Sequence, residues 1–171
     1  MPISSAPSPK ENPPASTWAE LWRDARLAPQ LRQARERGHF HGADARLLER
    51  VLDRTEGLLA DAEADGPSLL HGDLWGGNVY ADGAGRPVLI DPAVYRGHRE
   101  VDLAMSELFG GFPSGWPAAY HVAWPLDPAY RGFRRSLYQL YYLLVHVNLF
   151  GAGYEAGCLE AARQALRGDS G

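Results

Sequence analysis

Between Leu69 and Tyr80 the chain reads LLHGDLWGGNVY, and this stretch interrupts an otherwise helical pattern. Helical periodicity runs before and after it, so a single small β insertion must be fitted into a helical body. The loop inside the insertion carries His71, Asp73 and Asn78 among three glycines, Gly72, Gly76 and Gly77. Glycine loses the most conformational freedom on folding, so ordering this loop is costly. The reading that offsets the cost is chemical: glycines here would let a bound group approach the backbone closely.

On the N-terminal side, Thr17-Trp18-Ala19-Glu20 has the spacing of a capping box. Trp18, Leu21, Trp22 and Ala25 then recur at helical spacing, with Pro29 expected to interrupt or kink the helix and Gly38 to stop it. A second helix is expected from about Asp44 to Ala62, burying Leu47, Leu48, Val51, Leu52, Leu58 and Leu59. Strands follow near Leu69–His71 and Asn78–Tyr80, and a third, PVLI, ends at Asp91, so that residues 78–90 form a hairpin. Further helices are expected over Arg99–Phe109, closed by Gly110-Gly111, over Ala129–Phe150 and over Tyr154–Leu166. The intervening Pro- and Trp-rich GGFPSGWPAAYHVAWPLDP reads as loop. The fold class is α+β and predominantly α-helical, with a small β-hairpin beside the polar loop. Residues 1–16 read as a disordered Pro/Ser-rich lead, 17–168 as the domain and 169–171 as a tail.

The 171 residues are 45% hydrophobic with a net charge of -4, enough for one core and lacking the basic balance of a nucleic-acid binder. The single cysteine, Cys158, permits no intrachain disulfide and suits a reducing, cytoplasmic setting as a small buried residue. No apolar run reaches about 18 residues, so no membrane span is expected. Of the 17 basic residues only Lys10 is a lysine, so no lysine stands where a nucleotide-anchoring one would be needed.

His-x-Asp-x-x-x-x-Asn followed across a hairpin by an apolar strand ending in Asp suits phosphoryl transfer from ATP. One carboxylate must accept the proton of the attacking hydroxyl, a role open to Asp73. Magnesium takes hard oxygen donors, which Asn78 and Asp91 supply once the hairpin folds back. His71 is read as structural, its ring bonded to loop backbone. The isolated elements have plainer readings, because an Asp or Asn at a strand end is often just a turn former.

HGDLWGGN, VLIDPAVYRGHREVDLAMSELFGGF, WPLDPAY and LYQLYYLLVHVNLFGAGY together resemble the fructosamine (ketosamine) kinase family over about residues 17–166. The resemblance implies the protein-kinase-like fold, related to aminoglycoside and choline kinases. It implies ATP- and Mg2+-dependent phosphorylation of the sugar 3-hydroxyl of ketoamines (fructosamine or ribulosamine), which initiates deglycation. It carries over Asp73 as the base and Asn78 and Asp91 as magnesium ligands. Asp102 matches the carboxylate that holds the catalytic loop through backbone N–H groups, although an acid at a helix N-terminus is also ordinary dipole chemistry. Trp75 either stacks on the sugar or anchors the loop as a core aromatic. Arg96, His98 and Arg99 form a basic cluster that either meets phosphate or decorates the surface.

The resemblance covers the C-terminal lobe only; the glycine-rich phosphate loop, the strand lysine and its glutamate partner of the N-lobe are not in the sequence. A fragment or mis-started product, a separate N-lobe chain supplied in trans, and a remnant without turnover all fit. An apolar surface is expected where the other lobe would pack, favouring homo-oligomers. A pseudokinase-like binding module and an aminoglycoside- or choline-type kinase are the rival readings, with Trp75 and GGFPSGW favouring a sugar. Ser114 in GFPSG misses the G-x-S-x-G spacing of a hydrolase, and His39-x-His41 lacks a third metal ligand. The aromatic run Tyr138, Tyr141 and Tyr142 is read as packing, with Asn148 as a buried hydrogen-bonding group.

Overall fold

The computed structural model describes residues 15–169. Residues 1–14 of the expected lead, Lys10 among them, and residues 170–171 of the expected tail lie outside the described residues. Thr17 caps the first helix, its Oγ1 accepting from Glu20 N at 3.0 Å. The reciprocal bond of the expected capping box is shifted by one residue: Glu20 Oε2 accepts from Ser16 N at 2.7 Å. Helix α1 (Trp18–Leu21) passes through a π-type turn (Trp22–Leu27) directly into α2 (Ala28–Glu36). Pro29 has no N–H, and its ring would crowd the carbonyl four residues back. The widened turn relieves both problems, with Ala28 N–H bonding Arg23 O. The helix therefore continues past Pro29 and ends at Gly38, whose φ of 84° is the left-handed cap that glycine adopts freely.

Helix α3 (Gly42–Leu59) begins two residues before the expected Asp44 and tightens into a 3-10 turn (Ala60–Asp65). Leu48, Val51, Leu58 and Leu59 are buried, and Leu47 and Leu52 pack at the edge of the core. Strand β1 (Ser68–Leu70) leads into the polar loop, followed by β2 (Val79–Ala81), β3 (Pro87–Leu89) and β4 (Tyr95–Gly97). β2 and β3 form the expected hairpin, with Val79 opposite Leu89. Asp82 Oδ1 closes its turn by accepting from Ala84 N and Arg86 N, both at 2.9 Å. β4 was not anticipated; it pairs antiparallel with β1, Leu70 opposite Tyr95. The two pairs make the β insertion a closed excursion whose ends meet.

Helix α4 (Glu100–Leu108) ends at Gly110 and Gly111, both at positive φ. The stretch expected as loop contains helix α5 (Trp116–Ala123). Pro117 stands in its first turn, where a missing N–H costs nothing. Helix α6 (Arg135–Phe150), entered through a second π-type turn (Tyr130–Arg134), packs against α2, α4 and the last helix, α7 (Glu155–Ala165). Its expected inward residues, Leu137, Leu140, Tyr141, Leu144 and Val147, are all buried. Cys158 is buried too, and burial pushes its thiol up to about 12. No described helix is long and apolar enough to cross a membrane.

The segment 98–102 ties these elements together with buried polar bonds. Arg134 donates to both Glu100 oxygens at 2.8 Å, and both side chains are buried. His98 faces Tyr138 Oη at 2.7 Å and Asp65 at 3.2 Å. Arg99 donates to Asp65 at 3.0 Å and to Pro125 O at 2.7 Å, with its guanidinium 4.4 Å from the Trp124 ring centroid. The basic cluster expected at the surface is thus split. Arg96 is exposed, whereas His98 and Arg99 turn inward as structural bridges.

Breaking a buried ion pair strands the remaining charge. Arg134→Leu is expected to destabilise the fold by about 3–5 kcal/mol, and the double change Glu100→Gln with Arg134→Leu to recover part of that loss, both read by urea unfolding.

Candidate active site

The loop after β1 is held from below by one carboxylate. Asp102, in the first turn of α4, accepts from His71 N at 2.6 Å and from Gly72 N at 2.9 Å. The His71 ring fastens the loop to the hairpin. Its Nε2 lies 2.9 Å from Ile90 O, which can only accept, so Nε2 carries the proton and Nδ1 receives Asp73 N at 3.3 Å. His71 thus bonds backbone, as expected. Two more backbone bonds close the arrangement, Ile90 N to Asn78 O at 3.1 Å and Ala93 N to His71 O at 2.8 Å.

Asp91 lies between these pinned positions, immediately after Ile90. It is exposed and has a φ of 50°. Asp tolerates this left-handed conformation better than most residues, yet it still costs of order 1 kcal/mol. Asn78 is buried, and its Nδ2 donates to Asp73 O at 2.8 Å and Asp73 Oδ2 at 3.1 Å. Four side-chain oxygens remain without hydrogen-bond or ion-pair partners among the described residues: Asp73 Oδ1, Asn78 Oδ1 and both oxygens of the Asp91 carboxylate. Asp73 and Asn78 are in contact, and Asp91 follows Ile90, whose N–H is tied to Asn78 O; among the described residues no cationic side chain pairs with either Asp.

The glycines act differently from the expectation. A Cβ on Gly72, at φ 80°, would fall 2.2 Å from Ala93 O; one on Gly76 would fall 2.6 Å from Gly111 Cα; one on Gly77 would fall 2.3 Å from the Trp75 ring. All three make room for the protein's own chain. The loop is costly to order because it is packed tightly against β4, the α4 terminus and its own tryptophan. Trp75 is 41% exposed, so it is no core aromatic, and its ring lies against Gly77.

Tyr142, read from the sequence as packing, supports the loop from beneath, and Arg26, given no role there, is buried beneath β4. Tyr142 Oη donates to Gly72 O at 3.5 Å. Burial pushes the Tyr142 phenol well up, with the charges of Asp102 and Asp73 adding to the effect, so it remains a donor. Arg26 is buried with its guanidinium 5.1 Å from the Tyr95 ring centroid. Its signal was available, since an arginine four residues after Trp22 lies on the apolar face. The His39-x-His41 pair is no metal site: His39 Nδ1 meets Glu155 at 2.6 Å and His41 Nε2 meets Gly38 O at 2.9 Å. Asp65, His98 and Glu100 place donor atoms within 4.8 Å of one another. Arg99 and Arg134 already neutralise those acids, so the trio is structural.

A model of the family described as fructosamine kinase matches residues 3–167. The chain belongs to the fructosamine kinase family. A Synechocystis protein carrying a ketoamine kinase name is 43% identical over 161 residues, covering 94% of this chain and 52% of that protein. The ketosamine-3-kinase of Mus musculus is 38% identical, covering 91% of this chain and 49% of that protein. A crystal structure from Thermobifida fusca, carrying a fructosamine-3-kinase name, superposes with a TM-score of 0.84 at 46% identity, covering 96% of this chain and 56% of that one. The chain spans about half the length of the curated relatives it matches.

In this fructosamine kinase family member the loop depends on Asp102, which gives a direct test. Asp102→Ala is expected to raise amide hydrogen exchange at His71 and Gly72 by at least about tenfold, while amides in the middle of α6 keep their protection.

Proposed function

We propose that this chain supplies the catalytic and magnesium-holding part of an ATP-dependent ketoamine 3-kinase, acting on fructosamine or ribulosamine groups and so initiating deglycation. One observation carries the reading: among the described residues Asp73 Oδ1, Asn78 Oδ1 and the Asp91 carboxylate stay uncommitted, while the backbone N–H groups of His71, Gly72, Asp73, Trp75, Asn78 and Ile90 are engaged. That is a set of hard oxygen donors with excess negative charge and no paired cation among the described residues, which suits magnesium. Asn78 and Asp91 would hold the ion, which when bound neutralises charge on the phosphates.

Asp73 is the base. Asn78 Nδ2 fixes its Oδ2, leaving Oδ1 to accept the proton of the sugar 3-hydroxyl. The hydroxyl oxygen attacks the γ-phosphorus, the bond to the bridging oxygen of ADP breaks, and the proton passes to Asp73. Asp102 and His71 position the loop and touch neither substrate. The exposed face of Trp75 suits stacking on the sugar ring.

The described residues contain no lysine, so a lysine gripping the α- and β-phosphates would come from outside them. Leu69, Tyr80, Leu89, Ile90 and Val94 are exposed on the β insertion beside the loop. These residues form the surface on which the complementary N-lobe would pack, whether it belongs to the same polypeptide or a separate chain. The lobe assignment fits a chain that spans about half of its relatives.

Calorimetric titration with Mg-ATP should show saturable binding that Asp91→Ala weakens by at least about tenfold; equal affinities would remove Asp91 from the ion site. Where turnover of a ketoamine is measured, Asp73→Asn is expected to lower it about 10²–10⁴-fold while the unfolding midpoint stays near wild type, and an unchanged rate would refute the base assignment.

A further inference from the structure

A half-exposed aromatic ledge leads away from the catalytic loop, and the proposed mechanism does not use it. It starts beyond the buried Tyr142, whose hydroxyl reaches Gly72 O, and runs along the same face of α6 through His146 and Phe150. From Tyr142 to Phe150 the helix advances about 12 Å. Phe109, at the end of α4, lies over His146 with ring centroids 4.5 Å apart. Tyr154 closes the other side, 5.0 Å from His146 and 6.2 Å from Phe150. Phe109 immediately precedes Gly110-Gly111, the glycine pair that abuts Gly76 beside Trp75. The ledge is therefore continuous with the loop at both of its inner corners.

Its rings are poorly covered. Phe150 is 64% exposed and Phe109 39%, which is costly for apolar rings with no occupant. One polar group sits among them. His146 Nδ1 lies 2.8 Å from Tyr142 O, so Nδ1 carries the proton and Nε2 is the acceptor. No partner meets Nε2 among the described residues. Aromatic faces with a single hydrogen-bond acceptor suit a cation on an apolar stem. The secondary ammonium of a ketoamine on a lysine side chain has that chemistry.

We infer that the Phe109–His146–Phe150–Tyr154 ledge seats the amine-bearing side of the substrate, the lysine stem and adjoining residues of a glycated polypeptide, while the sugar lies at Trp75 and Asp73. The inference rests on the ketoamine kinase reading and deepens it by assigning the residues that hold the amine-bearing side of the substrate. His146 is the hydrogen-bond acceptor for the ammonium or the adjoining backbone, and Phe150 is the outer wall.

The test is calorimetric titration of the whole chain with two probes: a short peptide carrying one ε-fructosyl-lysine, and fructosyl-methylamine, which has the same sugar and no carrier. Phe150→Ser alters a mostly exposed side chain and is expected to keep the fold. Phe150→Ser and His146→Ala are each expected to weaken the peptide about fivefold or more, and the small ketoamine much less. Leu149→Ser, equally exposed but outside the ring cluster, should leave peptide affinity unchanged. The inference is overturned if the wild-type chain does not bind the peptide, if neither ledge variant alters its affinity, if both probes weaken equally, or if Leu149→Ser mimics Phe150→Ser. Failure of the kinase reading has a separate signature: absence of Mg-ATP binding, or binding indifferent to Asp91→Ala.

Discussion

Both oxygens of one carboxylate fix the geometry of this molecule's polar loop. Asp102 receives two consecutive backbone N–H groups, from His71 and Gly72, at the point where the chain leaves β1 and turns at positive φ. Gly72 takes up the positive φ of that turn, and a Cβ there would fall 2.2 Å from Ala93 O, so the turn beside the clamp depends on glycine. The clamp is only as rigid as the helix that carries it. Glu100, two residues earlier, is locked by Arg134 at the entry to α6, and Arg99 is locked by Asp65 and the carbonyls after α5. Four side chains within five residues thus reach four different parts of the fold. A displacement of α4 would be transmitted to Asp73 through two hydrogen bonds.

Much of the helical frame was legible because burial on a helix leaves a period in the sequence. The inward face of α6 and the β2–β3 hairpin both followed from pattern and turn chemistry. What escaped had no pattern of its own. β4 is three residues long, one of them an exposed arginine, and exists because β1 offers it a partner. α5 was hidden by its composition: Pro117 reads as a breaker but stands where a helix tolerates it, and Trp116, Tyr120 and Trp124 recur every four residues. His98 and Arg99 looked like surface charge because their partners, Asp65 and Tyr138, lie more than thirty residues away.

The identities of the loop residues were readable, yet the reason for the glycines was not. A motif shows which residue types share a loop; it does not show what presses on them. Here Gly72, Gly76 and Gly77 are pressed by Ala93, by Gly110-Gly111 and by Trp75. Those contacts join segments up to thirty-five residues apart in sequence, and only the folded chain brings them together.

The tight packing and the uncommitted oxygens belong to one design. A loop that used its own carboxylates to satisfy its own backbone would be cheaper to order and would have nothing left to offer a ligand. In this loop the backbone donors of His71 and Gly72 go to Asp102, that of Asp73 to the His71 ring, and that of Ile90 to Asn78 O. The positive φ at Asp91 belongs to the same arrangement, since the residues on both sides of it are tied to the loop and the strained position carries the free carboxylate. Negative charge left unpaired at two aspartates destabilises the fold. Under the proposed function that cost is met in folding, where the donors are arranged, and not at the moment a cation and a phosphate bind.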